Sequence, residues 1–179
     1  QMCIRDSVAT VFAWIMALIL HLQPEEFSSL NIGNITHLIL RLIASFCGVF
    51  GFSIMFNSSI PMAATTAVIG AIANTLRLEL VDFTAIPAAA AAFIGAVTAG
   101  LLASFIKKYN GYPRISLTVP SIVIMVPGLY LYRAIYNFGI MSLTEAVSWF
   151  TSAVMIIIAL PLGLIFARII TDRTFRYCT

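Results

Sequence analysis

Charge is scarce in this sequence: ten lysines and arginines and seven acidic residues in 179, where a soluble domain carries charge on about a quarter of its residues. That scarcity excludes a soluble helical bundle, whose helices need polar outer faces. Cysteine is few and unpatterned. Cys47 lies inside an apolar stretch, and Cys3 and Cys178 lie near the termini, which argues against a disulfide framework. His21 and His37 stand alone, and no Cys or His cluster has metal-ligand spacing. The motifs H-E-x-x-H, G-x-S-x-G and the P-loop are missing, so no metal, no cofactor and no enzymatic activity is expected. No basic run with interleaved aromatics is present, which excludes a nucleic-acid partner.

What the chain has is apolar length. Hydrophobic residues make up 61% of it and its mean hydropathy is +1.02. Six apolar blocks can be placed, at about 8–22, 35–56, 60–78, 83–106, 115–136 and 146–170, each near the roughly 20 residues that cross a bilayer. The first, which stops before Pro24, is short. No ten-residue alternation of a barrel strand occurs, and lipid requires backbone pairing within each segment, so the expected fold is an all-α polytopic transmembrane helix bundle of about six spans. Residues 1–7, "QMCIRDS", fit neither a signal peptide nor the apolar pattern and resemble a translated sequencing adapter; they are expected to be a non-native leader. Residues 8–34 are expected to form an additional transmembrane helix with its outer loop, and residues 35–179 the main membrane module.

The few charges test the count. "QPEEFSSLNIGN", "RLELVD" and "NFGIMSLTE" are net acidic connections, whereas "KKYNGYPR" carries Lys107, Lys108 and Arg114 and the tail after the last block carries Arg173 and Arg176 against Asp172. The positive-inside rule then puts both termini in the cytoplasm. On this reading Arg77, Glu79 and Asp82 are solvated at the outer rim, and no acid lies well inside a span, so a proton-coupled mechanism would borrow one from a partner. Small residues recur every four positions at Ala91, Gly95, Ala99 and Ala103, and at Ala63, Ala67 and Ala71. Such ladders let helix backbones approach closely, within one bundle or at an oligomer face.

The fifth block, "VPSIVIMVPGLYLYR", is broken in the sequence itself. Pro120 and the pair Pro127-Gly128 remove amide donors at membrane depth, which lipid tolerates only where the freed groups face protein or water. A helix restarting at Pro127 would offer an N-terminus with partial positive charge, suited to a carboxylate. A simple proline kink is the plainer explanation. Tyr132 and Arg133 follow on the same helix, where Arg133 either serves the substrate or snorkels to the outer headgroups. Asn57 and Ser58, in the uncharged turn "FNSSIP", could line a polar path or merely form a capping turn. Arg41 and Asn74 are expected to face the bundle interior, with an interhelical hydrogen bond as the plainer role for Asn74.

These residues carry a resemblance. "GFSIMFN" at 51–57, the small-residue helix with Gly70, the Ala/Gly-rich fourth block, the basic loop and "IVIMVPGLYLYRA" at 122–134 together resemble the C-terminal half of the threonine/serine exporter family, from about Leu38 onward. The resemblance implies a module of the bacterial inner membrane that works with a second membrane half, fused or separate, to export threonine and serine, or succinate in some two-component relatives. It marks Asn57, Pro127, Gly128 and Tyr132 as motif positions. The block at 8–22 with its acidic loop is a departure from the minimal small-subunit form. A subunit that scaffolds such a complex without transporting, with a homo-oligomer as one arrangement, is the rival expectation, and a passive channel a second.

Overall fold

The computed structural model of the chain describes residues 12, 15–16, 19–20, 34–84 and 86–172, and the chain divides into two compact units, 1–32 and 33–179. In the first unit Phe12, Ile15, Met16 and Ile19 are helical and exposed, and the amide of Leu20 donates to the Met16 carbonyl at 3.0 Å. The leader 1–7, the rest of the block at 8–22 and the loop up to residue 33 lie outside the described residues.

The second unit is all helix among its described residues: α1 Asn34–Met55, α2 Ile60–Thr84, α3 Ala88–Asn110, α4 Arg114–Val123, α5 Gly128–Gly139 and α6 Leu143–Thr171. Helices α4 and α5 together make one broken span, Arg114–Gly139, so five segments are long and apolar enough to cross a membrane. Leu, Ile, Val, Phe and Met side chains stand exposed along all of them, as expected where the outer solvent is hydrocarbon. At ~1.5 Å per residue, the 29 residues of α6 exceed the ~30 Å hydrocarbon core, so this helix must tilt or project from it.

Two turns show how the sequence ends its helices. After α1 the Asn57 amide donates to the Ile54 carbonyl at 2.8 Å and the Ser58 amide to the Ser53 carbonyl at 3.1 Å, a Schellman motif with Asn57 in the left-handed region at φ 59°. Asparagine tolerates that conformation better than most residues. After α5 the same pattern recurs, with Met141 donating to Phe138 at 3.2 Å and Ser142 to Asn137 at 2.9 Å, but here a methionine holds φ 63°.

The boundary between α2 and α3 corrects the sequence expectation. Helix α2 runs on to Thr84, so Arg77, Glu79, Asp82 and Phe83 lie on its last two turns, and α3 begins only after Pro87. The charge cluster looked like a loop because its partner is distant in sequence. Arg41, on α1, donates to Glu79 at 3.0 Å and also pairs with Asp82, and neutralised carboxylates can stay on a helix near the membrane boundary. These two acids are therefore ion-paired on a helix and not simply solvated.

The small-residue ladders are buried as a set: Ala63, Ala67, Ala91, Ala99 and Ala103 are all 0% exposed. Helices α3 and α6 run parallel, and their closest approach is made by glycine. A Cβ on Gly163 would stand 2.7 Å from the Phe93 carbonyl oxygen and 2.8 Å from the Ala96 Cβ, and one on Gly100 would stand 2.6 Å from the Ala167 Cβ.

Candidate functional site

The fifth apolar block is two helices, as Pro127-Gly128 predicts. Helix α4 ends at Val123. The Met125 amide then donates to Ile122 at 2.9 Å and the Val126 amide to Val123 at 3.1 Å, three-residue bonds that tighten the last turn. Proline has no amide to continue the ladder, and it pushes the preceding Val126 out of the helical region. Pro127 itself sits at φ −79° and ψ 53°, with the Gly128 amide bonded to the Val126 carbonyl at 2.8 Å. This is an inverse γ-turn, and α5 restarts directly from it. Pro120 is accommodated inside α4, where it is buried.

One side of this joint is packed against protein, while Val126 and Gly128 on its other side are exposed. Met125 is 0% exposed, and Pro127 is buried. A glycine on each of three neighbouring helices makes room for it. A Cβ on Gly48 of α1 would lie 2.8 Å from Ile124 Cδ1, one on Gly70 of α2 would lie 3.1 Å from the Ser121 carbonyl oxygen, and one on Gly95 of α3 would lie 3.4 Å from Met125 Sδ. The buried side of the break thus lies among packed helices, where lipid physics permits it.

One side chain meets the freed backbone. Arg77 of α2 donates through Nη1 to the Met125 carbonyl oxygen at 2.9 Å. It stands seven residues before the end of α2, roughly 10 Å down the helix axis, and is half-buried rather than solvated, so its expected place at the rim is corrected. The guanidinium carries five N–H donors, of which this bond uses one. A cation and the positive end of α5 therefore converge on one joint, and both favour an anion. Sequence reasoning missed Arg77 because α2 seemed to end at residue 78. The signal that could have found it is Pro87, which suits the start of a following helix and leaves room for two more turns of α2.

The remaining predicted residues are distributed along the bundle. Asn74, 5% exposed, donates through Nδ2 to Ser45 Oγ at 2.8 Å and lies one turn from Arg77. Its Oδ1 has no partner, and neither do the buried hydroxyls of Ser53 and Thr75. Gly128 is exposed at the joint and Tyr132 lies one turn beyond it, stacked on Tyr136 at 6.5 Å between ring centroids. Arg133 lies over the indole of Trp149 at 4.7 Å, and Tyr130 packs on the same indole at 5.5 Å. Asn57 and Ser58 are at the other end of the bundle, on the order of 25 Å from Arg77 along α2. Helix α2 and the joint thus bring together Asn74, Pro127 and Gly128 with Arg77, with Tyr132 and Arg133 one to two turns away, and leave Asn57 and Ser58 apart.

Among the described residues, five apolar spans, one of them broken and met at the break by a half-buried arginine, define a multi-pass membrane protein of the transporter class. Within that class, the family model described as Threonine/Serine exporter, ThrE matches residues 41–170. The chain belongs to this family and is a threonine/serine exporter-type membrane transporter. No curated protein and no solved structure matches it.

Proposed function

We propose that the chain is a secondary transporter, or the obligate half of one, that exports threonine and serine across the bacterial inner membrane with both termini in the cytoplasm. The observation that carries this reading is the bond from Arg77 to the Met125 carbonyl, which sets a guanidinium beside the start of α5. The carboxylate of an amino acid docks there, on the free donors of Arg77 and the first amides of α5. The path runs from a cytoplasmic mouth at Asn57 and Ser58, past Asn74 and Pro120, to the joint at Pro127 and Gly128, and leaves between Tyr132 and Arg133. Residues 35–179 form the exporter module and 8–34 an added helix and outer loop. A second membrane half, fused or separate, completes the path, and alternating access comes from rocking one half against the other.

The test is efflux from cells loaded with threonine- or serine-containing dipeptides. Arg77→Gln, and the pair Pro127→Ala with Gly128→Ala, should each lower threonine efflux while the protein stays in the membrane at native level. Native efflux from both variants would refute the site. Succinate binds through the same carboxylate chemistry, so succinate efflux measured in parallel decides the substrate: loss of succinate efflux alone would replace threonine and serine by a dicarboxylate.

A further inference from the structure

A second constellation lies at the far end of the bundle from Arg41 and Arg133, where α3 and α6 end and α4 begins. A cavity of about 460 Å³ opens there between Lys107, Arg114 and Arg168, with Thr118 and Asp172 on its wall. An adjoining cavity of about 300 Å³ shares Lys107, Arg114 and Asp172 with it and adds Ser104 and Thr171. Arg114 is the first residue of α4, half-buried, with Nη2 3.5 Å from the Gly100 carbonyl oxygen. Arg168 and Asp172 are 4.0 Å apart on successive turns.

Cations near helix C-termini often do no more than offset the helix dipole, so the balance of charge decides. Each helix end carries roughly half an elementary charge. Lys107, Arg114, Arg168 and the start of α4 are positive. Asp172 and the ends of α3 and α6 are negative. Among the described groups an excess of about one and a half positive charges remains around the cavity. Part of the lining is apolar: Leu164 and Ile165 of α6 and Ile115 of α4 line the larger cavity, and Ile115 is 74% and Ile165 46% exposed. Cations and lipid-facing aliphatic side chains therefore share one opening.

We infer that this opening is a binding site for the anionic headgroup of a membrane phospholipid, with the phosphate between Lys107 and Arg114 and the acyl chains along Ile115 and Ile165. A water-soluble anion would gain nothing from the apolar wall, whereas a lipid uses both surfaces, and basic pockets between transmembrane helices suit such headgroups. Arg114 can hold phosphate oxygens with two parallel N–H donors. Asp172 keeps the excess low enough that one phosphate neutralises it.

The test uses the full chain, purified in detergent, stripped of lipid, and then given phosphatidylglycerol or phosphatidylcholine, with bound lipid counted by native mass spectrometry. Phosphatidylglycerol should be retained in preference. Lys107→Gln and Arg114→Gln should each lower that retention about fivefold, the effect of removing one basic residue worth ~1 kcal/mol at a membrane surface, and Asp172→Asn should raise it. Lys107 is exposed, so its variant keeps the fold and the experiment decisive even where Arg114→Gln does not assemble. Equal retention of the two lipids, or native retention by Lys107→Gln, overturns the site. Displacement of phosphatidylglycerol by excess inorganic phosphate would assign it to a soluble anion and overturn the lipid.

Discussion

The seam between α3 and α6 and the joint between α4 and α5 are built on opposite principles. The seam is made by small residues: Gly163 and Gly100 bring two backbones together over alanines that are fully buried. The joint interrupts a backbone and then restores it with a side chain, Arg77 to the Met125 carbonyl. Dispersion between close-packed surfaces falls off steeply with any gap, so the seam tolerates no displacement. The four-residue joint is held by two three-residue backbone bonds, a γ-turn and one side-chain hydrogen bond whose donor is exchangeable. One region is held by backbone contact, the other by a hydrogen bond that another acceptor could take.

That contrast is open to attack at four points, in descending order of effect. At the seam, Gly163→Leu must push a side chain into the Phe93 carbonyl and the Ala96 Cβ, neither of which can rotate away; it should cost at least ~3 kcal/mol and abolish monodisperse protein in size-exclusion chromatography. At the joint, Arg77→Met leaves a carbonyl without its donor, at ~1.5–3 kcal/mol. It should cut threonine efflux on the order of tenfold or more, equivalent to ~1.4 kcal/mol of lost binding, with Arg77→Lys recovering part. Should Arg77→Met export at the native rate while Gly163→Leu still assembles, the two regions would have exchanged roles.

Between them, Asn74→Ala removes the donor to Ser45 but also an oxygen that has no partner. The net loss should be only ~0.5–1.5 kcal/mol in thermal unfolding, and a larger effect on efflux than on stability would place Asn74 with the joint. Smallest is the α5–α6 turn. Met141→Gly relieves a left-handed methionine and should raise the melting temperature by about 2–4 °C, the equivalent of ~1 kcal/mol in a chain of this size. No rise would show that the neighbouring helices, and not this residue, set the turn.

Much of the bundle is legible in residue order. The apolar blocks give the spans, Pro127-Gly128 gives the break, and the spacing of Ala91, Gly95, Ala99 and Ala103 gives a buried face. What is illegible is whatever depends on partners far apart in the chain. Arg41 is 38 residues from Glu79, and without that pairing three charges near residue 80 look like a loop. The same error at residue 78 cut α2 short and hid Arg77, whose acceptor lies 48 residues away. Asn57 illustrates the converse. Its motif position suggested a polar path, and its φ of 59° supplies a backbone reason for asparagine that no pattern of side-chain polarity contains.

The parallel contact of α3 with α6 also bears on how the protein is made. Phe93, Ala96 and Gly100 meet residues near Gly163 and Ala167, which leave the ribosome only after the whole broken span Arg114–Gly139 has been made. Until α6 is inserted, the α6-facing side of α3 has acyl chains to lie against. The seam of closest helix contact therefore forms only after the broken span is in place.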